Sequence, residues 1–329
     1  MALSPAGPPR SRVRCCRITS WPQFVDTVQG WAGFRNWAFR GQANARWPLE
    51  SALTRVVRVR RVSPGAWPRQ EDRIRRIFQR KSHLYLPNTP GDDLLEWLAL
   101  MQDHGAPTRL LDFTWSPYVA AFFALERASA DAAIWALNLP LLRRLHDEHT
   151  IDGVAVGRAD PRDAAVFDRY YLPNAHAFLW QGDPFRMPQR VVAQAGTFLV
   201  TGHLGLTVDE ILERYPGRDT LLVQFVFDTE AVRRDAMAAL YTMNITQATL
   251  FPDLDGLARS MAYEFEYSWE VDPATGAPLE SQRDPRLPPE VLEAARVARP
   301  VKGLKAPRRG RPRRDRRRSA APASSRRAR

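Results

Sequence analysis

Apolar residues recur along the chain at spacings that predict a succession of helices and short strands. Helical spacing predicts amphipathic helices in four segments: residues 21–31, residues 68–86, a segment from residue 92 or 93 to just before Gly105, and residues 230–240. Short, continuous apolar runs at residues 132–137 and 221–227 predict buried strands. Residues 117–125 are almost entirely apolar and follow Ser116, a good helix cap, so they predict a helix buried on most sides.

Further apolar runs predict the rest of a sheet. The run from Trp37 to Phe39 predicts a strand that leads into Arg40 and Gly41, and residues 190–198 predict two strand pieces joined at Gly196. The alternation of strands and helices favours an α+β fold, a mixed β-sheet flanked by helices in a single globular domain. We expect its strands near Trp37, Ala132, Val191, Phe198 and Leu221.

Composition divides the chain into three parts. Residues 1–17 are rich in Pro, Ser and Arg and are predicted to be disordered, residues 18–272 form the globular domain, and residues 273–329 form a Pro/Arg-rich linker and tail. The net charge of +12 resides in the tail, which from Lys302 onward carries thirteen basic residues and one acidic residue, while the remainder carries 35 of each.

The tail is therefore predicted to be a disordered polycation. It is suited to bind nucleic acid or another polyanion without sequence preference, and the alternative is a solubilising extension. The arginines that would contact phosphates are Arg308, Arg309, Arg311, Arg313, Arg314, Arg316, Arg317 and Arg318.

Other features exclude several classes of protein. The two cysteines, Cys15 and Cys16, are adjacent and cannot build a disulfide framework or a four-ligand zinc site, which favours a reducing, cytoplasmic location. No apolar run approaches the roughly 20 residues of a spanning helix, so no membrane partner is expected. The chain lacks the phosphate-binding loops, the zinc-protease motif and the serine-hydrolase motif of common enzymes, and no metal site is predicted.

Two polar clusters are the candidates for chemistry. Arg40 stands at a strand end beside Gly41, whose missing Cβ lets another backbone or a ligand come close, and its guanidinium suits a phosphate or a carboxylate. A second cluster lies between a helix end and the next helix, and comprises Gln102, His104, Thr108, Arg109 and Asp112. Either this cluster is a satisfied internal network, or His104, Arg109 and Asp112 face the same cleft as Arg40.

Four stretches in this order resemble the FRG domain family. The first contains Phe39, Arg40, Gly41 and Gln42, with Trp47, Leu49 and Arg55 behind them; the full stretches are residues 37–55, 102–125, 188–200 and 249–261. The resemblance covers roughly residues 18–269. It implies a fold and a set of positions, but it implies no settled activity.

A fainter similarity links the chain to the arginine-serine-glutamate type of ADP-ribosyltransferases. Arg40 and Gly41 match that family's NAD-contacting pair, and Thr114 and Ser116 resemble its serine-threonine-serine stretch. The family's glutamate has no counterpart near residues 191–198, where the chain has Gln189 and Gln194. The similarity implies NAD as a candidate substrate, while the missing glutamate puts transfer of ADP-ribose in doubt.

These observations leave three hypotheses open. The first is a nucleotide-handling enzyme, with NAD as one candidate substrate, that acts as an effector of a bacterial defence or toxin system. Its predicted catalytic residues are Arg40, His104 and Asp112, and its predicted ligand-binding residues are Gly41, Gln42, Thr108, Arg109, Thr114, Ser116 and Gln194. The second is a noncatalytic module that binds a ligand or nucleic acid, and the third is a purely structural polar network.

Overall fold

A computed structural model describes residues 13–30, 34 and 36–266, and these form one seven-stranded mixed sheet flanked by helices. The strand order is β1-β7-β4-β2-β3-β6-β5; β1 pairs with β7 in parallel, and all other neighbours are antiparallel. This confirms the predicted α+β class. The strands are β1 (Arg14–Ile18), β2 (Ala38–Gln42), β3 (Leu110–Thr114), β4 (Ala132–Leu137), β5 (Leu179–Gly182), β6 (Gly196–Thr201) and β7 (Leu222–Phe227).

The helices begin and end close to most of the predicted boundaries. They are α1 (Trp21–Gly30), α2 (Ala52–Val59), α3 (Trp67–Ser82), α4 (Leu94–Asp103), α5 (Pro117–Leu125), α6 (Leu139–Glu148), α7 (Ala164–Tyr170), α8 (Gln189–Ala193), α9 (Val208–Leu212), α10 (Thr229–Thr242), α11 (Gln247–Leu250) and α12 (Leu254–Glu266). Side-chain caps fix several starts: Asp93 caps α4 and Ser116 caps α5. None of the helices in the described part of the chain is long and apolar enough to cross a membrane.

The sheet buries both of its faces. Along β4, Trp135 and Leu137 belong to one core cluster, and Ile134 and Ala136 belong to another. Because successive side chains of a strand point to opposite faces, these two clusters lie on opposite sides of the sheet. This explains why β4 reads as a continuous apolar run: a strand covered on both faces needs no polar alternation.

One of the predicted strands is wrong. Val191 lies in the short helix α8 and not in a strand; the chain then turns at Ala195, which has a φ of 46°. This turn brings Val191 back onto the start of β6, where its side chain occupies the space beside Gly196. The local preference of two adjacent valines for a strand is thus overridden by packing against β6.

Other elements were not predicted at all. The polar cluster between Gln102 and Asp112 runs into strand β3, and α2 lies in a segment for which no helix is predicted. Disorder is predicted through residue 17, whereas Arg14–Ile18 forms β1. An edge strand held by backbone hydrogen bonds to one neighbour needs no apolar pattern, so its sequence carries little signal. The predicted linker and tail, residues 273–329, lie outside the described residues.

A close backbone contact joins α5 to the central strand β2. A Cβ built on Gly41 would lie 2.1 Å from the carbonyl oxygen of Ala120 and 2.6 Å from the backbone nitrogen of Ala124. No side chain fits between the two backbones. Gly41 lies inside β2, and its missing Cβ admits another backbone, one of the two roles predicted for it.

Replacing Gly41 by Ala should separate α5 from β2. The clash involves backbone atoms that cannot rotate away, so we expect Gly41→Ala to cost more than about 3 kcal/mol in the free energy of unfolding. Urea denaturation followed by circular dichroism measures this loss. The control is Gly157→Ala, whose added Cβ has no neighbour within 4 Å. Equal stability of the two variants would contradict the close contact.

Candidate functional site

A cavity of about 760 Å³ opens beside β2 and β3. Its polar wall residues are Arg40, Gln42, Arg55, Gln102, Asp103, Asp112, Thr114, Glu126, Arg127, Arg190 and Gln194. Its apolar and small wall residues are Phe39, Gly41, Ala43, Trp47, Pro48, Ala99, Phe113, Phe123, Val191, Phe198 and Phe251. We call this space the central cavity. Its volume falls within the range of pockets that bind small molecules.

The four FRG-like stretches all contribute to the wall of the central cavity. Residues 37–55 and 102–125 supply most of it, residues 188–200 supply one side, and residues 249–261 supply Phe251. Only three wall residues lie outside these stretches: Ala99, Glu126 and Arg127. Stretches far apart in sequence therefore meet around one space.

The central cavity lies where the sheet is incompletely paired. The ladder between β2 and β3 consists of one pair, Phe39 with Thr114. Beyond that pair, the carbonyl oxygen of Asp112 accepts a hydrogen bond of 2.6 Å from Nη1 of Arg40. A guanidinium thus satisfies a carbonyl that a continuous ladder would have paired with backbone.

Arg40 retains unused hydrogen-bonding capacity. Its side chain is 19% exposed, its Nη1 lies 3.7 Å from Oδ2 of Asp112, and its buried Nε has no hydrogen-bond partner among the described residues. Burial lowers the pKa of the Arg40 guanidinium, Asp112 raises it, and the nearby cation Arg55 lowers it again. Arg55 donates to the carbonyl oxygen of Glu50 and forms no ion pair within the described segments. Asp112 is thus the one carboxylate in ion-pair contact with either cation in the described structure, and Glu50 also interacts electrostatically with Arg55.

A chain of hydrogen bonds orients the carboxylate of Asp112. Nε2 of Gln102 donates to Oδ1 of Asp112 at 2.6 Å. The hydroxyl of Thr108 donates to Oε1 of Gln102, which fixes the amide with its NH2 group toward Asp112. The Asp112 side chain remains 55% exposed. An oriented and accessible carboxylate can accept a hydrogen bond or a proton from a ligand.

Arg190 organises another part of the wall. Its Nη1 donates to the carbonyl oxygen of Asp103 at 2.8 Å, and its guanidinium lies over the ring of Phe251, 4.7 Å from the centroid. Nearby, Nε2 of Gln194 donates to the carbonyl oxygen of Leu250 at 3.1 Å. These contacts fix the segment around Phe251 against α8 and the end of α4.

The remaining predicted ligand-binding residues in the wall have structural partners. Gln42 is buried, and its Oε1 accepts from the indole nitrogen of Trp135 at 2.7 Å. The hydroxyl of Thr114 donates to the carbonyl oxygen of Gln194 at 2.7 Å. Gly41, Gln42, Thr114 and Gln194 thus lie together in the cavity wall, and their described contacts hold that wall in place; that they bind a ligand stays a prediction.

His104, Thr108 and Ser116 lie outside the wall of the central cavity, so the prediction that His104 faces the cleft with Arg40 is wrong. His104 is the exposed residue that ends α4, where Gly105, with a φ of 81°, turns the chain away. Thr108 is buried behind Gln102, and Ser116 caps α5 by accepting from the backbone nitrogen of Val119 at 3.3 Å. Thr108 thus holds the side chain of Gln102, and Ser116 holds the start of α5, without lining the cavity.

Arg109 is also misplaced by the sequence prediction. Arg109 directly precedes β3, and its fully buried side chain is not part of the cavity wall. Its Nε donates to Oε1 of Glu71 at 2.6 Å, its Nη2 donates to Oε2 of Glu71, and its Nη1 donates to the carbonyl oxygen of Thr201 at 2.8 Å. The ring centroid of Phe167 lies 5.2 Å from its Cζ. Arg109 is therefore a core residue.

Sequence reasoning about the site missed several charged and aromatic wall residues, including Arg55, Arg190, Glu126, Arg127 and Phe251. Glu126 follows the apolar helix α5, and its largely buried carboxylate accepts from Nε2 of Gln247. Arg127 lies beside it, with its Nε 3.6 Å from Oε1 of Glu126. Phe251 contributes an aromatic face. A charged pair directly after an apolar helix was the one available signal for Glu126 and Arg127.

Comparisons with known proteins agree with the FRG resemblance. The family model of the FRG domain matches residues 35–133. This range contains the first two FRG-like stretches and with them Arg40, Gln102 and Asp112, whereas the other two stretches lie beyond it. No curated protein and no solved structure matches the chain.

Removing the partner of Arg109 should strongly destabilise the domain. Glu71→Gln leaves a buried guanidinium without its counter-charge, and we expect a loss of about 3 to 5 kcal/mol in the free energy of unfolding, measured by urea denaturation. The double variant Glu71→Gln/Arg109→Met removes both charges and should recover part of that loss.

The matched control is Glu213→Gln, which removes an exposed ion pair with Arg218 at 3.8 Å. It should cost no more than about 1 kcal/mol. A Glu71→Gln protein as stable as this control would show that the buried pair does not support the fold.

Proposed function

We propose that the central cavity binds a nucleotide, with its phosphates on Arg40 and Arg55. The observation that carries the proposal is the pair of arginine side chains in the cavity wall, two positive charges with one carboxylate in ion-pair contact. Arg40 and Arg55 both line the cavity, Arg55 lowers the pKa of Arg40, and Asp112 is the one carboxylate within 4.0 Å of either guanidinium in the described structure. A phosphate group would bring the missing negative charge and accept hydrogen bonds from guanidinium forks.

Aromatic wall residues suit the rest of a nucleotide. Trp47 is 55% exposed at the wall, and Phe251, Phe123 and Phe113 present further rings. Base-to-aromatic stacking is sequence-tolerant and contributes about 1 to 3 kcal/mol per base. The combination of two arginine side chains with several rings favours a nucleotide over inorganic phosphate or a simple dicarboxylate.

The carboxylate of Asp112 makes the cavity suited to chemistry as well as binding. It is held by Gln102 in one orientation, it is accessible, and it lies beside the cation that would hold the phosphates. NAD is the candidate substrate that the similarity to ADP-ribosyltransferases implies, and that similarity stays a prediction. In this proposal Asp112 polarises a ribose hydroxyl or a water molecule, and consumption of NAD would suit an effector of bacterial defence.

The second candidate function is polyanion binding by the C-terminal tail. Its support is the composition from Lys302 to the end of the chain, thirteen basic residues against one acidic residue. This function is independent of the cavity, and it would hold a nucleotide-binding domain near nucleic acid.

Loss of the Arg40 charge should weaken nucleotide binding. Purified protein is incubated with NAD, ATP or GTP, and binding is followed by thermal shift and calorimetry. We expect one nucleotide to raise the melting temperature of the unaltered protein. Arg40→Met should weaken the affinity for that nucleotide by roughly ten- to a hundredfold, because it removes a charged hydrogen bond worth about 1.5 to 3 kcal/mol.

The control is Arg144→Met, an arginine 66% exposed outside the cavity wall, which should bind as the unaltered protein does. Mass spectrometry of the nucleotide separates an enzyme from a binding module: turnover that disappears in Asp112→Asn while binding persists identifies an enzyme. Binding that Arg40→Met leaves unchanged, or no binding of any nucleotide tested, would reject the proposal.

Neutralising part of the tail should weaken binding to polyanions. The variant Arg313→Gln/Arg314→Gln/Arg316→Gln is compared with the unaltered chain by fluorescence anisotropy on a labelled oligonucleotide at several salt concentrations. Each lost phosphate contact should reduce the slope of log affinity against log salt by roughly 0.7 to 0.9. An unchanged slope would show that the tail does not contact the oligonucleotide.

A further inference from the structure

Positive charge within the folded part of the chain is concentrated in one segment. Residues 55–81 carry ten Arg and Lys residues against two acidic residues, a net charge of +8. The chain outside the C-terminal tail is formally neutral, so all of it except this segment has a net charge of −8. A general excess of arginine codons would not produce this separation.

Helix α3 presents most of this charge on a single face. Its inner face comprises Trp67, Glu71, Ile74, Phe78 and Ser82, which are buried or half-buried. The row of arginines two positions further on is rotated by about 200° from that face, given 3.6 residues per turn. We call this exposed row the α3 stripe, and it consists of Arg69, Arg73, Arg76 and Arg80.

The charges of the α3 stripe are largely uncompensated. Glu71 forms an ion pair with Arg109 in the core, and Asp72 pairs with Arg75 and Arg76. Within the described part of the chain, the other three arginines of the stripe form no ion pair and no side-chain hydrogen bond. Like charges held along one helix face repel each other, so an external anion would relieve the repulsion.

We propose that the α3 stripe binds the sugar-phosphate backbone of nucleic acid. The stripe extends over about 16 Å of rigid helix at 1.5 Å per residue. Arginine forks match phosphate geometry, and a duplex carries one charge per about 1.7 Å of its axis. The chain directly after the helix exposes Tyr85 (83% exposed), a ring on which an unpaired base can stack.

The geometry favours nucleic acid over a lipid surface. A helix that lies on a membrane places apolar residues outward beside its charges. The apolar residues of α3 instead face the core, where Ile74 and Phe78 pack, and its outer face is polar. An anionic vesicle therefore has little apolar surface to gain from this helix.

The stripe is a second site, and it does not depend on what the central cavity binds. None of its residues lines the cavity. The two sites use different arginines: Arg55 of α2 lies in the cavity wall, whereas the stripe lies on α3.

The test compares three variants of the full chain with equal changes in charge. The stripe variant is Arg69→Gln/Arg73→Gln/Arg80→Gln, and Arg76 is kept because it pairs with Asp72. The surface control is Arg158→Gln/Arg214→Gln/Arg234→Gln, three exposed arginines elsewhere on the domain. The third is the tail variant defined above. Thermal melting confirms that all three are folded.

Binding is measured by fluorescence anisotropy on labelled 20-mers of single-stranded DNA, duplex DNA and single-stranded RNA across a salt series. We expect the stripe variant to lose at least about tenfold in affinity, and its salt slope to fall by about 2 to 3, the effect of three lost phosphate contacts. The surface control should change far less. Comparing the three oligonucleotides tells which form of the backbone is preferred.

Three outcomes would overturn the proposal. An equal loss in the surface control would assign the effect to net charge, and a loss confined to the tail variant would assign all binding to the tail. A stripe variant that loses binding to vesicles of phosphatidylserine and phosphatidylcholine, but not to any oligonucleotide, would assign the surface to lipid. The thermal shift with NAD, ATP or GTP is measured on the same variants, so failure of the cavity proposal is seen separately.

Discussion

The contact between α5 and β2 at Gly41 determines the geometry of everything around the cavity. Because two backbones meet there without an intervening side chain, β2 is held against the helix on one side and against β4 on another. Its pairing with β3 is reduced to Phe39 and Thr114, and the space beyond is filled by the guanidinium of Arg40. Each residue of the Phe39-Arg40-Gly41 sequence thus has a role in one arrangement. Gly41 lets α5 approach β2, Arg40 bonds to the unpaired carbonyl of β3, and Phe39 forms the one pair between β2 and β3.

The arginine–carboxylate pairs of the domain fall into two groups that differ in burial and in unused hydrogen-bond donors. Arg109 and Glu71 form an ion pair that is buried from solvent. The guanidinium of Arg109 also donates to a backbone carbonyl oxygen. Arg40 and Asp112 lie at an open wall, share a looser ion pair of 3.7 Å and leave donors unused. The first arrangement stabilises the fold and offers nothing to a ligand, whereas the second leaves capacity for one.

The sequence predicted the elements that are regular and apolar, and it predicted the site in part. Strand β4 and helix α5 follow from their unbroken apolar runs, and Arg40, Gln42, Asp112 and Gln194 do meet at one cavity. The partner of Arg109 could not be predicted, because Glu71 lies 38 residues away and no local pattern links them. Likewise β1 (RCCRI) has no apolar alternation, since its place in the sheet comes from backbone pairing with a distant strand.

That last pairing also constrains how the domain can be made. Strand β1 precedes the other described strands in the chain, but its neighbour in the described sheet is β7, with Arg14 opposite Val223. During translation β1 therefore waits with its backbone groups unpaired until nearly the whole domain has left the ribosome, and closing so long a loop is entropically slow. The sheet can grow around β2, β3 and β4 in the meantime. Completion of this edge of the sheet is therefore a late event, because it depends on β7, the last of the seven described strands.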